Sequence, residues 1–274
     1  MNALSRIGAE RAYVLMYHAL VPRNELDKGS TVSKDGAARS DPYALSEAVF
    51  AEHVSVVARA QASTPRSWAD VTRSIDALQV WFTFDDGHRS DLEVALPVLK
   101  KHALTGMFFI TTDWIGRSGY MDAEDLRELA AEGMLLGTHG ASHRFLADLD
   151  HGEVEKELAT SKMRLEDVLG REIPAVALPG GRSHPAARRI ARELGYRFVF
   201  TSRIGVADRA SDPLDLPRLP VTRGLPASFV ADLLAGDERM VRRMARLAQV
   251  KGFAKSLLGN KLYHRLWQWS AKWK

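Results

Sequence analysis

The sequence predicts an α/β fold whose parallel sheet closes into a barrel. Three observations carry this expectation. Short apolar runs alternate with amphipathic segments along most of the chain, the signature of successive βα units. At 274 residues the chain is long for an ordinary domain but typical of one α/β barrel. The residues with most chemical potential, Asp85, Asp86 and His139, directly follow apolar runs, as they would at the carboxyl edge of such a sheet.

Residues 12–20 read as the first strand, with His18 near its end. Residues 22–42 are polar, Gly/Ser-containing and aperiodic, which predicts a long surface loop. Ser46 caps a helix to about residue 60, with Val49, Phe50, His53, Val54 and Val57 at helical spacing. A buried strand over 80–85 follows, then a helix over 91–102 with Leu92, Leu96 and Leu99 on one face. Residues 106–111 form a short apolar strand, Asp122 caps a helix over 122–132, and 134–138 is a strand leading into His139. A charged amphipathic helix spans 151–169 and stops at Gly170. Strand 175–178, helix 185–194 and strands 197–201 and 216–220 complete the alternation.

An apolar content of 46% supports a sizeable core, and the absence of cysteine excludes disulfides and thiolate metal ligands. No stretch approaches the roughly 18 apolar residues of a membrane span. Residues 12–21 carry Tyr and His and read as the first strand and not a signal peptide, so a cytoplasmic location is the expectation. Charge divides the chain in two: residues 239–274 hold ten Lys+Arg and no acid, leaving 28 basic against 34 acidic residues over 1–238. The division predicts a catalytic domain over 1–238 and a basic amphipathic tail over 239–274. Interleaved apolar residues and Trp267, Trp269 and Trp273 suit an amphipathic helix lying on an anionic membrane, peripheral to its inner face. Packing of the apolar stripe on the barrel or on another subunit is the alternative, and nucleic acid, drawn by the same charges, is disfavoured.

Adjacent strand residues face opposite ways, so Asp85 and Asp86 can share an environment only if the chain turns there, and Gly87 permits the turn. His139 and His143, four apart beside Gly140, can converge from one helical turn or tight loop. Each motif alone has a plain reading, since Asp-Gly is a common turn and a His pair at this spacing a frequent surface coincidence. Together they offer one carboxylate and two imidazoles to a divalent cation, leaving a second carboxylate as base on a coordinated water. That combination predicts a metal-dependent hydrolase. His88, His102, His151 and His184 lack motif support, although His88 could line the cleft; Trp114 could stack on a sugar or merely pack.

At these residues the chain resembles the NodB-like polysaccharide deacetylases, which are metal-dependent carbohydrate esterases. Thr83-Phe84-Asp85-Asp86-Gly87 matches their first motif, His139-Gly-Ala-Ser-His143 their second, and Ala177-Leu-Pro-Gly-Gly181 their third, Arg-x-Pro-x-Gly. The resemblance runs from Val14 to about residue 235 and takes in Ser161-Lys-x-x-Leu-Glu166 and Leu194-Gly-Tyr196; Met16-Tyr-His18 resembles the exopolysaccharide-associated branch. It implies a distorted barrel of seven strands, with Asp85 as general base and Asp86, His139 and His143 holding the metal, usually zinc. It also implies an oxyanion donor near Gly180 in the Pro179-Gly180-Gly181 turn, with Arg182 beside it.

Three departures follow. Gly140 stands where the second motif usually has a hydroxyl residue. The third motif's Arg, which orients the base, is Ala177, making Arg182 and Arg218 candidate replacements. The late Leu-x-His motif of the general acid is absent, and His18 is the candidate in its place. The expected activity is N-deacetylation of an N-acetylated sugar in a polysaccharide or its lipid-linked precursor. The alternatives are a C–N hydrolase of the same barrel superfamily acting on a small amide or imide, and a catalytically weak carbohydrate-binding scaffold.

Overall fold

The computed structural model describes residues 10–21, 42–72, 75, 77–181, 184–226 and 228–250. The long loop expected over 22–42 therefore falls almost wholly outside the described residues, as do Arg182 and the tail beyond 250.

Seven parallel strands close on themselves, one at each position the apolar runs predict. They are β1 (Arg11–Tyr17), β4 (Gln79–Phe84), β5 (Gly106–Ile110), β6 (Leu135–Thr138), β7 (Ala175–Ala177), β8 (Phe198–Ile204) and β10 (Leu216–Pro220). They pair in that order, and β10 returns to β1. The closing seam is short, registering Leu15 with Leu219 and Met16 with Pro220, and β10 is irregular against β8 between Leu216 and Arg218. Three two-residue strands escape the sequence pattern: β2 (Leu20–Val21) pairs with β3 (Leu45–Ser46), and β9 (Ala207–Asp208) runs antiparallel beside β1. Two residues are too few to show a period.

Alternation along the strands separates two cores. Ala12, Val14, Trp81, Met107, Phe109, Leu135, Ala175, Ala177, Phe198, Phe200 and Leu216 form one cluster, the barrel interior. Their neighbours Leu15, Phe82, Phe84, Phe108 and Leu219 pack outward with Phe50 and Val54 of α1 (Glu47–Arg59). Strands apolar on both faces are what a helix-covered parallel sheet requires. Helix α2 (Trp68–Thr72), too short to register as periodic, adds Trp68 and Val71 to the interior cluster, with Trp68 stacked on Phe198. Because Phe198 begins β8, this plugs the amino-terminal end and leaves the carboxyl end as the mouth.

The helix expected over 91–102 is a π-turn, Asp91–Ala95, continued by α3 (Leu96–Lys101). Pro97, in the first turn of α3, has no N–H for the preceding turn, so the strain resolves as one wide turn in which the Leu96 N–H reaches the Asp91 carbonyl. Elsewhere the capping signals hold. Asp122 and Asp125 form a reciprocal box at α4 (Ala123–Ala131), Asp150 and Glu153 another at α5 (His151–Leu169), and Gly170 ends α5 at φ 63°. Helices α6 (Ala187–Glu193) and α7 (Phe229–Leu234) complete the ring of covering helices. Residues 239–250 are helical, and this first part of the basic tail lies on the barrel, with Val241 buried and Met240 and Met244 packed against the main core.

Candidate active site at the barrel mouth

Strand alternation decides what faces the mouth. Trp81 lies in the interior cluster on β4, and two steps of two lead through Thr83 to Asp85. The same step carries β6 from Leu135 through Gly137 to His139, β1 from Val14 through Met16 to His18, and β10 from Leu216 to Arg218. Four charged or titratable residues therefore converge at one end because each ends an inward row. Asp86, one step out of phase, is brought back by a left-handed backbone, φ 80°, and His143 likewise sits at φ 63°. Such conformations cost a non-glycine residue about 1–3 kcal/mol and concentrate at functional sites.

Arg218 and Asp85 meet as two planar groups. Nη1 donates to Oδ1 at 2.7 Å and Nη2 to Oδ2 at 2.8 Å, with Arg218 fully buried and Asp85 nearly so. Arg218 Nε donates to the Thr201 carbonyl at 3.0 Å, and its guanidinium lies over the Phe109 ring. The arginine missing at Ala177 is thus replaced from β10, beyond β8. Burial pushes the Asp85 carboxyl up, but Arg218 and then His139 outweigh it, and the net shift is below the ordinary 3.8. Asp85 is a carboxylate held in one orientation.

Asp86, His139 and His143 bring one ligand atom each to within 4.8 Å of one another. The His139 Nδ1–H donates to the Ala177 carbonyl at 2.9 Å; a carbonyl can only accept, so this tautomer leaves Nε2 with a free lone pair facing the site. Asp86 Oδ1 stands 3.6 Å from His139 Nε2 and 3.3 Å from His143 Nε2, and it is buried without a hydrogen-bond donor among the described residues. Two atoms bound about 2.0–2.1 Å from one tetrahedral ion lie roughly 3.3–3.4 Å apart. The spacing fits a shared cation better than direct hydrogen bonds. Burial lowers the His139 imidazole, favouring the neutral form a metal needs.

His18 joins the same mouth. Its Nδ1 is buried without a partner among the described residues, and its ring lies 4.6 Å from that of Tyr43. His88, which no motif supports, stands with Nε2 3.5 Å from Asp86 Oδ2 and stacks on Tyr120. Tyr120 contacts Trp114, and Trp114 stacks on His143 at 5.0 Å, so an aromatic arc borders the cluster. The Pro179–Gly181 turn follows β7 directly. Gly180 has φ 61°, and a Cβ there would meet the Phe145 ring at 2.2 Å, so only glycine fits. Gly140, at φ 75°, occupies a conformation that a hydroxyl residue rarely adopts, which accounts for that departure.

Asp91 was invisible to the motif reading. It is fully buried on the π-turn with both oxygens lacking a hydrogen-bond partner among the described residues. Burial, then Asp86 and Asp85, hold it well above the ordinary carboxylate range and favour the neutral acid. An aspartate on the inner face of a predicted helix is the one sequence signal that could have flagged it.

The described barrel thus carries at its mouth a carboxylate–imidazole trio at metal-ligand spacing beside an arginine-held carboxylate. Residues 73–199 match the polysaccharide deacetylase family. YxkH of Bacillus subtilis, assigned to the polysaccharide deacetylases, is 28% identical over 149 residues, covering 54% of this chain and 53% of that protein. The peptidoglycan-N-acetylmuramic acid deacetylase PdaA of the same species is 26% identical over 125 residues, 45% of this chain and 46% of PdaA. The chain thus matches about half the length of these curated relatives. The Streptococcus pyogenes deacetylase PplD, solved with acetate, superposes with a TM-score of 0.71 at 22% identity, covering 82% of this chain and 99% of PplD, which establishes a shared fold. Residues 73–199 are thus similar to the polysaccharide deacetylase family, and the barrel as a whole has the fold of a solved deacetylase.

Proposed function

We propose that this protein hydrolyses the N-acetyl group of an N-acetylated sugar in a polysaccharide or its lipid-linked precursor, with zinc held by Asp86, His139 and His143. The observation that carries the reading is the pairing of an arginine-fixed carboxylate, Asp85, with a ligand trio at metal spacing. Bound there, a divalent ion would polarise the amide carbonyl and acidify a water. The chain's own groups do the rest. Asp85, ionised and oriented by Arg218, accepts the water's proton as hydroxide adds to the carbonyl carbon. A backbone N–H of the Pro179–Gly181 turn donates to the oxyanion. His18 protonates the departing amine as the C–N bond breaks. The aromatic arc of Trp114, Tyr120 and His88 offers rings for a sugar face. The names of PdaA and of the acetate-bound PplD support N-acetyl chemistry.

Purified protein is expected to carry about one zinc per chain and to release acetate from N-acetylglucosamine oligomers; chelation should stop release and zinc restore it. Bound zinc without release of any acyl group would favour the carbohydrate-binding scaffold. Release from a small cyclic amide or imide alone would favour the other C–N hydrolases.

We also propose that the basic helix rests on an anionic membrane. Arg239, Arg242, Arg243 and Arg246 line one concavity with Leu247, which is 51% exposed. Deleting 239–274 would strip the buried Val241 from the core, so charge reversal is the cleaner test. Arg242→Glu with Arg243→Glu and Arg246→Glu should abolish flotation with vesicles containing anionic lipid while deacetylation of soluble oligomers persists. Equal flotation of both proteins would remove the membrane.

A further inference from the structure

The segment between the two candidate histidine ligands has no regular structure of its own, so its backbone groups need partners elsewhere. Its carbonyls find them on one side: the Gly140 oxygen accepts from the Thr112 N–H at 3.3 Å and the Ala141 oxygen from the Asp113 N–H at 2.8 Å. Its N–H groups turn the other way, to a single side chain on α5. Glu157 Oε2 accepts from the Ala141 N–H at 3.0 Å and the Ser142 N–H at 2.9 Å, while Oε1 accepts from the Ser142 hydroxyl at 2.5 Å. Glu157 is 8% exposed, on the helix face that also buries Val154, Leu158 and Ser161. A carboxylate is costly to bury there unless its oxygens are satisfied, and this loop satisfies three acceptor positions.

We propose that Glu157 is a positioning residue for the metal centre: it fixes residues 141–142 and thereby aims His143 at Asp86. The proposal rests on the reading that Asp86, His139 and His143 bind a metal. Asp86 at φ 80° and His143 at φ 63° both hold unfavourable conformations that their surroundings must maintain, and His143 is the one that directly follows the segment Glu157 holds. His139 is fixed independently, by β6 and by the Ala177 carbonyl. Without Glu157 the two N–H groups would turn toward water, and His143 would be free to leave the strained conformation. The predicted loss is therefore of metal affinity at one arm of the site, with the barrel intact.

The test is zinc titration of the metal-free full-length protein against a chromophoric chelator, together with the Tm of each protein with and without zinc. Glu157→Ala should raise the zinc Kd about 10–100-fold, the range for losing a group that orients a ligand. Glu157→Gln should fall between it and wild type, because one oxygen can still take both N–H groups and the Ser142 hydroxyl can reverse to accept from the amide. Ser142→Ala, losing one bond of three, should stay closest to wild type. The zinc-induced rise in Tm should shrink in the same order. A folded Glu157→Ala protein that binds zinc as wild type does would overturn the proposal, leaving Glu157 a purely structural residue. Should Glu157→Ala fail to fold, Glu157→Gln and Ser142→Ala decide, and wild-type affinity in both would overturn it. Wild-type protein that takes up no zinc would instead overturn the metal reading, and this proposal with it.

Discussion

Asp85→Asn is expected to lower the rate of acetate release by about 10²–10⁴-fold, the range for losing a positioned general base, while zinc content stays within twofold of wild type. The separation follows from geometry. Asp85 gives both oxygens to Arg218, whereas the trio at metal spacing is Asp86, His139 and His143. Asparagine keeps the shape but cannot take a proton at neutral pH, and it leaves the buried Arg218 without its anion. Rates should therefore be compared well below the lowered Tm of the variant. An Asp85→Asn enzyme with half of wild-type turnover would remove Asp85 as the base, and one that lost its zinc would make Asp85 a ligand.

Arg218→Ala is expected to cost about 3–5 kcal/mol of stability, as does removing one partner of a fully buried ion pair. The cost should depend on pH in a defined direction. In the wild-type fold the Asp85 carboxyl lies below its ordinary value, so the stability from the pair is present above about pH 4 and is lost as pH falls through the lowered folded value. In the variant, burial without the guanidinium pushes Asp85 up, so stability falls as pH rises. The gap between the two proteins should be widest near neutrality and close in acid. Urea melts across that range measure it; a constant gap would show that packing of the side chain over Phe109, and not the ion pair, was lost.

The seven barrel strands are legible in the sequence because both faces of each are apolar, which leaves runs that stand out whatever register they adopt. The trio at metal-ligand spacing is legible for a different reason. Asp86 and the His139–His143 pair are set by local turns, and the requirement for a left-handed backbone beside Gly87 and Gly140 is written into the same few residues. The groups that tune them are not local. Arg218 lies 133 positions from Asp85, and motif matching places the arginine at Ala177. Counting by twos from Leu216 would have placed a charge inside the barrel, a stronger signal than the motif. Glu157 reads as one more charge on a charged helix, because what buries it is a loop beyond the helix itself. Asp91 sits where a helix was expected, and the wide turn forced by Pro97 is a matter of backbone bonding that no periodicity reports.

The irregular closing strand has a final consequence. β10 meets β1 through just two registered residue pairs, yet its Arg218 reaches across to grasp the end of β4. The guanidinium acts as a latch spanning the join that closes the ring. Loosening of that join would expose a lone anion in a dry interior, so circular continuity of the sheet and the fixed orientation of the Asp85 carboxylate are gained and surrendered as one.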